Sequence, residues 1–148
     1  MQKSPYLVFI IMLTFFVISF LSNIIGPLIP DIIQGFQLNL TLVALLPFAF
    51  FIAYGIMSIP AGMFLEVYHE KKVMIFTFAL ACVGSMLMVI FPNYLSAILS
   101  LFLIGCGMAM LQVVINPLLR TAGGEEHYAF YSVMGQLTFG FASFLSPM

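Results

Sequence analysis

Two carboxamides, Gln112 and Asn116, stand four residues apart in an otherwise apolar stretch, with Pro117 directly after them. On a helix that spacing puts both on one face. The proline has no N–H to donate, so it weakens the backbone ladder there. Amides carry both donors and acceptors, which suits a neutral polyhydroxylated ligand such as a sugar. The same pair would serve as hydrogen-bonding glue between helices, and residue type alone leaves the two readings even.

Other polar groups in apolar surroundings follow the same logic. Ser19, Ser22 and Asn23 form one patch, with Asn23 its best ligand candidate. Ser132, Gln136 and Ser143 form another, led by Gln136. Tyr54 sits in the middle of an apolar run and could turn its hydroxyl inward. For each, a packing or structural hydrogen-bonding role is the competing reading. Reactive chemistry is absent from the pattern. No nucleophile stands with a base, no glycine-rich phosphate loop is present, and Cys82 and Cys106 lie too far apart for metal-ligand spacing. They read as packing cysteines. His69 and His127 fall in polar breaks and read as solvated loop residues. The pattern predicts no enzyme, no metal and no cofactor.

The elements that carry these groups are apolar helices. Hydrophobic residues make up 64% of the 148 positions and charged residues 6%. A soluble domain carries about 25% charged residues, because its surface meets water. This surface must meet lipid instead. Five runs are long enough to cross a bilayer, which takes about 20 apolar residues each. They cover about 6–29, 41–65, 73–91, 94–119 and 128–148. Asn39 or Thr41 is a candidate cap for the second, and Pro92-Asn93 a tight turn before the fourth. Pro27 and Pro30 in the first run, and Pro47 and Pro60 in the second, are expected to bend or end their helices. Gly105 with Ala109, and Ala81 with Ser85, have the four-residue spacing of close helix packing. β-Barrel strands would be about 10 residues long and alternate in polarity, and these runs do neither. The expected fold is all-α and transmembrane, a single helical domain over 1–148.

The run after Lys3 is too long for a secretory h-region of about 7–15 residues, so it reads as a retained first span. The basic residues are Lys3, Lys71, Lys72 and Arg120. With the N-terminus in the cytoplasm, all four fall on the inner side, and the outer loops hold only Asp31. The expected location is the cell membrane, multi-pass, with lipid as the main partner. A net charge of −1 and no basic patch argue against nucleic acid.

Several segments resemble the major facilitator superfamily. The stretch Gly62, Glu66, Lys71, Lys72 is similar to its signature between helices 2 and 3, with Val67 and His69 where an arginine and a second glycine are usual. A closer resemblance is to the fucose–galactose–glucose:proton symporter branch. It rests on Ala49-Phe50-Phe51-Ile52-Ala53-Tyr54, Pro60-Ala61-Gly62, Leu111-Gln112 through Asn116-Pro117, and Gly123-Gly124-Glu125. The order and spacing agree along nearly the whole chain.

The resemblance implies a transporter of about 12 helices in two halves, alternating between outward-open and inward-open states around a midplane site. It implies that Gln112 and Asn116 face the central cavity. Glu66, Lys71 and Lys72 would then belong to a cytoplasmic latch. Five runs would make this the N-terminal part of such a protein, one helix short of a half. Gly26 and Gln112 stand where the branch carries carboxylates, so this half offers no intramembrane acid for proton coupling. Tyr131, Val133 and Phe139 replace an arginine and two asparagines of the branch around Gln136. The expected function is secondary transport of a small polar solute, a sugar of the fucose, glucose or galactose kind, with the coupling ion, proton or sodium, left open. The alternatives are a facilitator-superfamily transporter of a non-sugar solute, and a truncated, non-transporting membrane protein or assembly partner.

Overall fold

An apolar segment in lipid has no water to satisfy its backbone, so it must close its hydrogen bonds within itself. The computed structural model of the chain, which describes residues 5–36 and 39–146, meets that demand with helices throughout. The order is α1 (Pro5–Phe36), α2 (Leu40–Val67), α3 (Glu70–Ile90), α4 (Tyr94–Gly123), a 3-10 turn (Glu125–His127) and α5 (Tyr128–Leu145). Each helix falls on one of the five apolar runs. By length and composition α1 to α4 can cross a membrane. α5 is 18 residues long and carries Gln136, Thr138 and two tyrosines among its apolar residues. Residues 147 and 148 of the expected fifth span lie outside the described residues, as does Lys3.

The helices overrun the apolar stretches. α1 continues to Phe36, past Pro27 and Pro30, so neither proline ends it. Pro47 and Pro60 likewise sit inside α2, and Pro117 inside α4. A helix in lipid keeps its remaining hydrogen bonds through a proline because the freed groups find no better partner outside it. α3 starts at Glu70, three residues before the apolar run, and Glu70 places negative charge at the positive end of the helix dipole. Asn39 caps α2 as expected, its Oδ1 accepting from the Leu42 N–H at 2.9 Å. Asn93 does the same for α4, accepting from the Ser96 N–H at 2.9 Å. α4 closes with the Gly124 N–H donating to the Arg120 carbonyl at 3.1 Å. Gly124 then takes φ 80°, a region that favours glycine, to turn the chain into the 3-10 segment.

The chain forms two compact units, Leu28–Val113 and the two segments Met1–Pro27 with Val114–Met148. In the first, α4 is the spine. A Cβ on Gly105 would overlap the Phe50 backbone carbonyl and touch Ala53 of α2. A Cβ on Gly107 would lie 3.2 Å from the Thr77 carbonyl of α3, and one on Gly84 would lie 3.0 Å from the Ser100 carbonyl of α4. Small residues let backbones approach this closely, and dispersion then does the work that hydrophobicity cannot do in lipid. The buried residues Val43, Leu46, Phe50 and Ala53 of α2 and Val73 and Thr77 of α3 complete this core. Tyr94 ties the far end, its hydroxyl donating to the Leu42 carbonyl at 2.7 Å.

In the other unit, α1 buries Val8, Ile11, Phe15, Ile18 and Ser19, a stripe with three- and four-residue steps. α5 packs on it. Gly135 lies under the Phe15 ring, the Ser19 hydroxyl donates to the Phe139 carbonyl at 2.6 Å, and the Ser146 hydroxyl donates to the Phe20 carbonyl at 2.8 Å. Large apolar side chains cover the outside. Tyr6 is 76% exposed and Phe9 66% in this unit, and Val89 81% and Ile59 76% in the first. In water such a surface would aggregate, whereas in lipid it is the ordinary solvent face.

Candidate functional site

The candidate polar residues divide between the units. Tyr54 and Gln112 belong to Leu28–Val113, and Asn23, Asn116 and Gln136 to the other. α4 is continuous through Gln112 and Asn116, so the two carboxamides stand one turn apart on it as their spacing predicts. Gln112 is half-buried and Asn116 exposed. Pro117 follows without interrupting the helix, and the Thr121 hydroxyl donates to its carbonyl at 2.9 Å.

On α1 the serines are used structurally. The Ser22 hydroxyl returns to the Ile18 carbonyl at 2.8 Å, and Ser19 reaches across to α5. The Asn23 amide donates to the Ser19 carbonyl at 2.8 Å. An asparagine has two amide protons and a carbonyl, so this bond leaves further capacity on its side chain. Asn23 is half-buried, while Gln136 is exposed on α5. Tyr54 is half-buried and its ring lies 6.3 Å from that of Phe50.

The loop motif is compact. Gly62 and Glu66 lie in the last turns of α2, Tyr68 and His69 link the helices, and Lys71 and Lys72 lie in the first turn of α3. Glu66, Lys71 and Lys72 are all exposed. Among the described residues Glu66 makes no ion pair with either lysine, and in the same loop the His69 Nδ1 lies 3.8 Å from the Glu70 carboxylate. A second exposed pair closes the turn after α4, where Arg120 meets Glu125 at 2.5 Å. The His127 ring lies 6.3 Å from that of Tyr131. Tyr131 in turn stands over Gly123, where any Cβ would overlap its ring. That side chain fills a packing position. Both cysteines are free thiols.

Sequence reasoning passed over one feature. Phe64, Tyr68, Lys72, Val73, Phe76 and Met110 line a cavity of about 320 Å³ between α2, α3 and α4. The signal was present in the spacing, since Phe64 with Tyr68 and Lys72 with Phe76 are each four apart.

These features define a multi-pass helical membrane protein whose polar residues within the apolar runs are neutral. The chain belongs to the Major Facilitator Superfamily, whose pattern matches residues 11–148. It is 33% identical over 117 residues to the glucose/galactose transporter of Brucella abortus, in both biovar 1 (strain 9-941) and strain 2308. That match covers 77% of this chain and 28% of the relative. It is also 27% identical over 137 residues to the L-fucose-proton symporter of Escherichia coli (strain K12), covering 89% of this chain and 31% of that protein. The chain thus spans less than a third of the length of the curated relatives it matches. No solved structure matches it.

Proposed function

We propose that this chain is part of a secondary transporter for a small polar solute, and that the solute is a sugar. The observation that carries this reading is the Gln112–Asn116 face of α4, two neutral donor–acceptor groups one turn apart on a membrane helix. Sugar hydroxyls need both donors and acceptors, and a neutral solute needs no buried counter-charge. The relatives, named for glucose, galactose and L-fucose, support the same class. Asn23, Gln136 and Tyr54 are the further solute-binding candidates by residue type, and the solute is exposed to each side in turn as the halves rock. The loop Gly62, Glu66, Lys71, Lys72 acts as the latch of that motion on the cytoplasmic side. Counting crossings puts the start of α3 and the end of α4 on one side of the membrane, and Lys71, Lys72 and Arg120 make that side cytoplasmic. The apolar runs of this chain hold no carboxylate, so a coupling ion would find its acid elsewhere in the protein.

Uptake of labelled glucose, galactose and fucose into proteoliposomes, with the protein that contains this chain, tests the reading. Accumulation of at least one, lost in Asn116→Leu, is expected. Uptake of none removes the sugar. A non-sugar solute is the second reading, favoured by Tyr131. The resemblance to the symporter branch implies an arginine there, and this chain spends the position on packing against Gly123.

A further inference from the structure

The cavity between α2, α3 and α4 is built in layers that match a phospholipid. Its floor is apolar and closed, with Val73 4% exposed and Met110 1%. Phe64 and Phe76 form the walls, each one helical turn deeper than Tyr68 and Lys72 at the mouth. Lys72 is the charged member of the lining and the last charged residue before the apolar run of α3. It therefore sits at the boundary between headgroups and hydrocarbon. Tyrosine favours the same level, where its ring is in the apolar layer and its hydroxyl is wet. The acids of the loop, Glu66 and Glu70, take no part in the lining. A volume of about 320 Å³ is well above the ~10–15 Å³ that a single water needs. Apolar walls give such waters few partners, so the space takes hydrocarbon.

We propose that this cavity is a binding site for one anionic phospholipid, with an acyl chain between Phe64 and Phe76 and the headgroup phosphate on Lys72. A free phosphate would use the lysine and leave five of the six lining residues without a role. A zwitterionic lipid would fill the walls but gain little from the cation. Lys71 makes the site distinguishable from a general basic surface. It is adjacent, equally charged and exposed, and it does not line the cavity. Diffuse attraction to an anionic membrane responds to both lysines alike, whereas a built site responds to Lys72.

Native mass spectrometry of the detergent-purified chain tests this with dioleoylphosphatidylglycerol, dioleoylphosphatidylcholine and inorganic phosphate as separate probes. Retention of phosphatidylglycerol well above phosphatidylcholine is expected, with no phosphate adduct. Lys72→Gln should weaken phosphatidylglycerol retention about five-fold, the electrostatic worth of one lysine near a membrane surface. Lys71→Gln should change it less than about two-fold, and Lys72→Arg should preserve it. Phe76→Ser, at an exposed wall position, keeps every charge and should still reduce retention. Equal retention of the two lipids, equal effects of the two lysine-to-glutamine changes, or an adduct with phosphate alone would each overturn the assignment.

Discussion

The Ser19 hydroxyl of α1 donates to the Phe139 carbonyl of α5 at 2.6 Å, and Ser19 is fully buried. That bond fixes the register of two helices far apart in sequence. It also occupies a group that would otherwise read as part of a ligand site. Ser19→Ala removes the donor and leaves the carbonyl without this partner. Interhelical hydrogen bonds in membranes contribute about 0.6–1.7 kcal/mol, so destabilisation in that range is expected from equilibrium unfolding in mixed micelles. An unchanged midpoint would show that α1 and α5 are held by packing alone.

Two glycines separate packing from flexibility. A Cβ at Gly105 would run into the Phe50 backbone, which cannot swing aside as a side chain can. Gly105→Ala should therefore cost about 1–3 kcal/mol, the usual range for overpacking. Gly55 has open space around its Cβ position. Gly55→Ala should be neutral or stabilising by up to ~1 kcal/mol, because alanine suits a helix interior better. Thermal melts of the two variants side by side check the contrast.

The positions of the helices were legible in the sequence because twenty apolar residues in a row leave the backbone no alternative to a helix in lipid. Their ends were not. α1 passes Pro30 and reaches Phe36, and α3 begins at Glu70, because a helix can outlast the bilayer wherever its residues tolerate water. Which face is inside was also hidden. Ile11, Phe15 and Ile18 are buried and Phe9 and Leu13 are exposed, yet all five are equally apolar, since lipid and protein interior select the same residues. Gln112 and Asn116 stood out by type and spacing. Lys72 stood out only as a charge, because the walls that make it part of a cavity come from other turns and other helices.

At the end of α4 two neighbouring residues should behave differently. Arg120 and Glu125 form a pair with side chains 62% and 77% exposed, so Glu125→Gln should cost well under ~1 kcal/mol. Gly124 holds φ 80° and ψ 153°, and Gly124→Ala puts a Cβ in a disfavoured conformation at roughly 1–3 kcal/mol. Unfolding midpoints should rank Glu125→Gln near wild type and Gly124→Ala below both.

If the α4 carboxamides hold a solute, their removal should separate function from stability. Asn116→Ala is expected to lower sugar uptake at least about ten-fold, the loss of about 1.4 kcal/mol of hydrogen bonding, with little change in the melting midpoint. Gln112→Ala should act in the same direction. A large fall in stability with uptake per folded molecule unchanged would assign the pair to helix–helix contact.

Cysteine labelling from either side of the membrane probes the threading most directly. Cys82 and Cys106 are first replaced by alanine, and single cysteines are then placed at Lys71, Pro92 and Arg120. Modification of positions 71 and 120 only by reagent from the cytoplasmic side, and of position 92 only from outside, is the predicted result. Labelling of all three from one side would contradict the account.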